Sequence, residues 1–456
     1  MSSDRDRPPS GFEAEGGVIA LPEASMRRLL GGHRPWRKLR HLAQEEGLDP
    51  LAAWRAVKAA RWLVWRSLPL RRWEGGCFGV CLTPALGEGL FKVDRSSGDD
   101  LFRVGGAGAS SSQLVERIRT LFSRGEVPRD RLRVATTMGE AAESSIMEGA
   151  SATRAQAIGM LREGRAPASV GERMILNNHS GMELVKRSLG AELSLELLTE
   201  LHVTLTEKTL EDPSACGRLR LPTEQVRVVD TRDRSTAFTP PPAEALPALL
   251  KDLFAFANGS AKGAGWIHPI VEASVLHFMI GYLHPFVDGN GRTARALFYW
   301  HALRHGYGLF EYLAISEVIR RGFARYPQAF TDSELDEGDL TYFVLYKLDV
   351  IEQSLARFAE YLAREEDRLA RADALLALSR DLNLRQRLLL QHALRHPATV
   401  YTVKSHATSN GIVPATARAD LDDLVRRRLM TTSKRGREVL YHVLPSLKDR
   451  VKRKGV

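Results

Sequence analysis

Residues 283–295 read Leu283-His284-Pro285-Phe286-Val287-Asp288-Gly289-Asn290-Gly291-Arg292-Thr293-Ala294-Arg295, and this run decides the fold around it. Upstream, Trp266 to Leu283 is an apolar stretch with helical spacing. Pro285 disfavours helical backbone at the residue before it, so the chain should turn at His284. Asp288-Gly289-Asn290-Gly291 is turn-forming, and the segment from Arg292 restarts a helix. The spacing predicts helix, glycine-containing loop, helix N-terminus.

That arrangement suits phosphate. Glycines let backbone N–H groups converge, and a helix start adds donors and the positive end of a dipole. Arg292 and Arg295 lie three apart and share a side of the second helix, the makings of a polyphosphate clamp. Asp288 is a hard oxygen ligand that fits Mg²⁺ shared with substrate phosphates. His284 can take a proton near neutral pH. A plain helix connector needs none of these together; base, carboxylate, anion nest and two arginines are the parts of nucleotidyl transfer. His202, His268 and His277 lack such surroundings and read as ordinary helix histidines.

The run His284-Pro285-Phe286-Val287-Asp288-Gly289-Asn290-Gly291-Arg292 resembles the signature of the Fic family, His-Pro-Phe-x-Asp/Glu-Gly-Asn-Gly-Arg, at every fixed position. The likeness extends over roughly 138–355, including Phe238 to Pro242 and Asp339 to Leu348. The resemblance implies a protein adenylyltransferase that moves AMP from ATP to a Ser, Thr or Tyr hydroxyl. It implies that His284 is the general base, Phe286 the buried anchor of the loop and Asp288 the Mg²⁺ ligand. Gly289 and Gly291 would permit the anion nest, Asn290 would contact the α-phosphate, Arg292 the β-phosphate region and Arg295 the γ-phosphate. A hairpin near Val226 to Phe238 would be the flap that registers the target by strand pairing. Relatives with Doc-like chemistry carry Lys where Gly291 stands, which favours AMP over phosphate transfer.

Ser144-Ser145-Ile146-Met147-Glu148-Gly149 resembles the Fic inhibitory motif, Ser/Thr-x-x-x-Glu-Gly/Asn. Ser and Glu at this spacing also make a capping box. The resemblance implies that Glu148 pairs with Arg295 and holds ATP in a non-productive pose. It also implies a secondary removal of AMP, with Glu148 positioning water.

The remaining chain surrounds this centre with three further regions. Residues 1–20 mix acids, Pro and Gly and read as a disordered tail without a secretory apolar stretch. Residues 21–111 read as a mixed region: helices through Leu68, with Asp49 and Pro50 as a helix start, then short strands in Gly75–Pro84 and Gly89–Val104. The Trp and Arg residues there read as core and snorkelling surface. Gly105 to Ser112 is a linker by composition. Cys77, Cys81 and Cys216 are too few for a disulfide framework and fit a reducing, cytoplasmic setting. No run of about 18 apolar residues offers a membrane span.

From residue 381 on, 16 Lys and Arg stand against 6 Asp and Glu, an excess equal to the whole chain's net charge of +10. Three short helical patterns followed by two strands about a basic turn predict a winged helix-turn-helix over 380–447. Leu421, Leu424 and Leu429 should face inward. Thr416 and Arg418 sit near the start of the third helix, and Lys434 and Arg435 at the wing tip, suited to DNA. Such modules also dock proteins. The expected chain is mainly α: tail 1–20, mixed region 21–111, Fic-type helical domain 112–370 with hairpin flap, winged helix 380–447, basic tail 448–456. Its expected partners are ATP, a hydroxyl-bearing protein target, DNA and a second copy of the chain. The competing reading is a DNA-binding regulator whose Fic-like part senses nucleotide; the intact His284 favours the enzyme.

Overall fold

The computed structural model describes residues 21–97, 129–229, 236–261, 265–376, 382–396, 398–436 and 438–444. The expected terminal tails and the linker at 105–112 lie outside these residues.

The N-terminal region holds α1 (Glu23–Leu30), α2 (Trp36–Glu45), α3 (Pro50–Trp62), β1 (Trp65–Arg71), β2 (Cys77–Cys81) and α4 (Pro84–Ser97). Then come α5 (Arg129–Met147), α6 (Arg154–Glu163), α7 (Val170–Arg187) and α8 (Leu195–Thr206). A hairpin of β3 (Val228–Val229) and β4 (Thr236–Phe238) precedes α9 (Leu246–Ala257), α10 (Pro269–Leu283) and α11 (Asn290–Arg304). The chain continues through α12 (Ile315–Arg321), α13 (Arg325–Leu335) and α14 (Thr341–Leu376). The C-terminal module is α15 (Leu384–Arg395), β5 (Val400–Tyr401), α16 (Val403–Asn410), α17 (Pro414–Arg426), β6 (Met430–Arg435) and β7 (Glu438–Val443). The described chain is thus mainly helical with small sheets, the expected class.

Contacts divide the chain into two units. The first comprises 1–99, 180–310 and 315–353. Its centre is the antiparallel pair α10 and α11. In α10 every residue from Ile270 to Ile280 except the half-buried Glu272 is buried, and in α11 every residue from Arg292 to Leu303. A helix apolar on all sides must lie in the core, and this pair does. Helix α8 packs on α11, and α9 on both α10 and β1.

Helices α1 to α3 close their own small core around Leu29, Leu39, Ala53, Trp54 and Val57. Asp49 caps α3, its carboxylate accepting from Ala52 N at 2.7 Å, with Pro50 in the first turn as the sequence predicts. Two expectations fail nearby. The helix does not run on to Leu68 but ends at Trp62, because Trp65 to Arg71 pair antiparallel with β2. Gly89–Ser97 are not strand but part of α4. Thr83 Oγ1 accepts from Leu86 N at 3.2 Å to start that helix, and Leu86 and Val93, seven apart, bury one face. Trp36 and Trp54 are core aromatics, edge to face, whereas Trp62 is 66% exposed.

Asp339 ties this region to α14. His33 Nε2 lies 2.7 Å from Asp339 Oδ2, and Thr341 N donates to Oδ1 at 3.0 Å. Beside it, Arg61 donates to the Tyr342 hydroxyl at 2.6 Å. Burial alone would raise the Asp339 pKa; His33 and Arg61 overcome it and hold the carboxyl well below its usual range.

The second unit comprises 100–179, 311–314 and 354–456. In it α5 and α6 pack through Met138, Ala142, Ala157 and Met160, and α16 lies against both helices. The C-terminal helices enclose Leu389, Leu390, Tyr401, Leu421, Leu424, Met430 and Tyr441, with Leu429 partly buried beside them. The sheet order is β5-β7-β6, which adds one strand to the two expected. Asp420 knots the module, accepting from Asn383, Arg385 and His406.

Replacing Asp339 with Asn should cost about 3–5 kcal/mol, because the buried Arg61 loses a neighbouring counter-charge and the His33 bond its carboxylate. Urea unfolding measures it; a loss under about 1 kcal/mol would show that the pair adds little.

Candidate active site

The loop 284–289 joins the buried helices, and its shape begins with Pro285. Helix α10 stops at Leu283, and His284 takes φ 46°, ψ 57°, a left-handed conformation unusual for a residue with a side chain. Its N–H donates to Ile280 O at 3.0 Å. Its Nδ1 lies 3.2 Å from Gly281 O. A carbonyl only accepts, so Nδ1 carries a proton, and Nε2 is the nitrogen that can give or take one.

Arg220 holds this helix end. Its N–H donates to Pro285 O at 2.9 Å, its Nε to His284 O at 2.8 Å and its Nη2 to Leu283 O at 3.3 Å. The same Nη2 reaches Pro241 O. Helix C-termini leave carbonyls without partners inside the helix, and here one buried guanidinium takes two of them.

Phe286 is fully buried, and the His202 ring stacks on it, 3.7 Å between centroids and 7° between planes. His202 Nδ1 accepts from Gly217 N at 3.1 Å, so Nε2 bears the proton and donates to Asp288 O at 2.9 Å. Burial lowers the His202 pKa to about 4, which keeps the ring neutral. Asn290 is buried and its amide is spent on Phe286: Oδ1 accepts from Phe286 N at 3.0 Å and Nδ2 donates to Phe286 O at 2.8 Å. What Asn290 offers a phosphate is therefore its main-chain N–H. Gly289 has φ 83°, and a Cβ there would stand 2.5 Å from Thr206 Cγ2. Only glycine fits.

The first bond of α11 runs from Thr293 N to Gly289 O, 3.0 Å, so the N–H groups of Asn290, Gly291 and Arg292 form the helix start. The Asp288 carboxylate is 57% exposed beside them and 3.4 Å from Arg292 Nη2. Arg292 is buried and also donates to Leu205 O at 3.0 Å. Arg295 is buried one turn further along. The hairpin pairs Val228 with Phe238 and Val229 with Thr236, its tip lying outside the described residues. The Phe238 ring sits 5.4 Å from that of Tyr282, two residues before His284.

The chemistry this permits is an imidazole lone pair, an exposed carboxylate and a nest of backbone donors within one loop. His277 is a buried helix histidine, as expected, bonded to the Tyr326 hydroxyl at 2.8 Å. His268 instead caps α10, accepting from Ile270 N. His202 is more than the ordinary helix histidine its surroundings in sequence suggest. Neither it nor Arg220 belongs to any motif, and no periodicity marks them.

In the second unit, Ser144 to Gly149 form a helix end. Glu148 is the C-cap of α5; Ala150 N donates to Ser145 O and Gly149 N to Ile146 O, with Gly149 at φ 89°. This is a Schellman motif, so the capping-box reading of Ser144 and Glu148 does not hold. Ser144 is buried and Glu148 half-buried. Thr416 is half-buried and Arg418 exposed on α17; Lys434 and Arg435 are exposed near the wing turn.

The model of the Fic/DOC family matches residues 192–302. Residues 192–302 are thus similar to the Fic/DOC family. This match spans α8, the hairpin and the α10–α11 pair. The protein adenylyltransferase fic-1 of Caenorhabditis elegans is 32% identical over 178 residues, 39% of this chain and 31% of that one. The protein adenylyltransferase Fic of Aedes aegypti is 33% identical over 96 residues, 21% of this chain and 18% of that one. These matches thus take in under a third of the relatives' length. Among solved structures, a Fic family protein from Desulfovibrio desulfuricans covers 80% of this chain and 97% of its own, at 17% identity and TM-score 0.47. No helix among the described residues is long and apolar enough to cross a membrane.

The neutral His202 makes the unit that holds the loop sensitive to acid. The unfolded histidine titrates near ~6.5 and the folded one near 4, so between these values the unfolded chain binds the extra proton. His202's contribution is full above pH 6.5 and falls as pH drops toward 4, by up to on the order of 3 kcal/mol. Comparing the pH dependence of unfolding in wild type and His202→Gln checks this; equal slopes would contradict it.

Proposed function

We propose that this protein transfers AMP from ATP to a hydroxyl side chain of a protein target. The observation that carries the reading is the tautomer of His284. Nδ1–H is held by Gly281 O, so Nε2 is the nitrogen that can give or take a proton, beside a loop whose backbone opens onto a helix N-terminus. A base needs that nitrogen, and a nucleotide sensor does not.

In this reading His284 Nε2 takes the proton from the target hydroxyl as its oxygen attacks the α-phosphorus of ATP. The new O–P bond forms, the bond to the β-phosphate oxygen breaks, and pyrophosphate leaves. Backbone N–H groups at Asn290, Gly291 and Arg292 receive the charge on the phosphate oxygens. Arg292 lies toward the β-phosphate and Arg295 toward the γ-phosphate. The exposed Asp288 carboxylate is a hard oxygen donor and fits Mg²⁺. When bound there, the ion would supply charge neutralisation to the phosphates. Phe286, pinned under His202, fixes the loop, and the β3–β4 hairpin offers strand edges to the target segment. AMP rather than phosphate or phosphocholine is favoured by Gly291.

The Fic-type domain would extend over 112–370, between a mixed region at 21–111 and a winged helix at 380–447. Glu148 acts as the brake: its place at a helix end, positioned by Gly149, supports a fixed regulatory carboxylate over a capping role. Removal of AMP, with Glu148 holding water, is the secondary activity. The winged helix docks a protein target or DNA. The exposed Arg418, Lys434 and Arg435 support the second, and a salt-dependent mobility shift with random duplex tests it.

Incubation with α-labelled ATP and Mg²⁺ should label the protein itself and a target in lysate. Glu148→Gly should raise the self-labelling at least tenfold, and His284→Ala should abolish it in either background. Label retained in His284→Ala overturns the base assignment. No gain in Glu148→Gly overturns the brake while leaving the transfer standing.

A further inference from the structure

At the end of the α10–α11 pair opposite the loop, three metal-ligating side chains converge. Glu272 stands in the first turn of α10; His301 and His305 stand four apart in the sequence at the end of α11. One ligand atom from each lies within 4.8 Å of the others. The geometry points to a binding site for a divalent transition ion of the zinc type, held by His301, His305 and Glu272. It is separate from the loop and independent of AMP transfer.

The spacing is the reason. Residues four apart on a helix project from one face, so two imidazoles there can grip one ion. The rings of His301 and His305 lie face near face, 4.2 Å between centroids and tilted by 35°. Glu272 reaches them from the antiparallel neighbour, its Oε2 3.0 Å from His301 Nε2. Two imidazoles and a carboxylate suit zinc, with a fourth position left to water. A tetrahedral ion bound at about 2.0–2.1 Å needs ligand atoms roughly 3.4 Å apart. Glu272 and His301 are already closer than that, and His305, which is exposed, has room to swing inward.

His301 is wholly buried with its Nε2 already turned to Glu272 Oε2, so this imidazole is held in place for an ion. His305 Nδ1 lies 2.9 Å from His301 O; a carbonyl only accepts, so Nδ1 carries a proton and Nε2 is the nitrogen that would meet the ion. The neighbouring Arg304 guanidinium has partners of its own. Arg304 turns onto the Trp300 ring, 5.2 Å from its centroid, and donates to Leu189 O. The ion would displace the proton shared by Glu272 and His301. It would tie the start of α10 to the end of α11, at the open end of the pair whose closed end is the loop.

Calorimetric titration of the metal-free full-length chain with zinc chloride tests this, with thermal unfolding run in parallel. Wild type should bind one ion per chain at this site and melt higher with zinc. His305→Ala, an exposed position whose loss leaves the fold intact, should bind at least tenfold more weakly and lose the zinc-dependent shift. Glu272→Gln should weaken binding in the same direction. Equal binding in wild type and His305→Ala overturns the proposal, as does zinc binding that disappears in His284→Ala but persists in His305→Ala.

Discussion

Arg220 grips the end of α10, and the candidate site depends on that grip. A proline one residue past a helix end forces a turn, and His284 absorbs it in a left-handed conformation that costs about 1–2 kcal/mol. The carbonyls of Leu283, His284 and Pro285 are left facing away from the helix, and Arg220 donates to all three. Because the imidazole is attached to this turn, its aim is set by a side chain 64 residues away in the sequence. The same guanidinium holds Pro241, so the segment after the hairpin and His284 share one anchor.

A second constraint acts on the other half of the loop. His202 is sandwiched between a donor at Gly217 and an acceptor at Asp288, which leaves it one tautomer and no charge. Its ring presses on Phe286, whose backbone is in turn closed by Asn290. Asp288 is left on the surface with its carboxylate outward while its carbonyl is tied inward. One residue thus faces solvent and scaffold at once, and Gly289 makes this compatible by lacking a side chain where Thr206 stands.

Much of this could be read in the sequence because it is local. Pro285, Gly289 and the restart of a helix after Asn290 speak through dihedral preferences, and the loop falls where they put it. The helices of the C-terminal module are legible for the same reason: Gly411 ends α16 in the left-handed region, Pro414 opens α17, and Leu421 and Leu424 lie inward at helical spacing. Arg220 was not legible, because Arg218, Leu219, Arg220 and Leu221 invert the usual rule. Leu221 is 47% exposed while Arg220 is buried, a choice made by carbonyls 63 and 64 residues away. The strand at Trp65–Arg71 and the helix at Pro84–Ser97 were misjudged on similar grounds. Short apolar runs carry both periods weakly, and the partner strand at Cys77–Cys81 decided the first.

The bonds that shape the loop and those that place it differ in reach. Phe286 and Asn290 close it across four residues, whereas Arg220 meets His284 across 64 and His202 meets Asp288 across 86. Form is therefore intrinsic to the loop, and location is borrowed from the rest of the unit. A disturbance in α8 or in the segment before the hairpin would swing the cradle bodily, its inner contour intact. Sensitivity to remote substitutions, without loss of the loop's own outline, is built into this division.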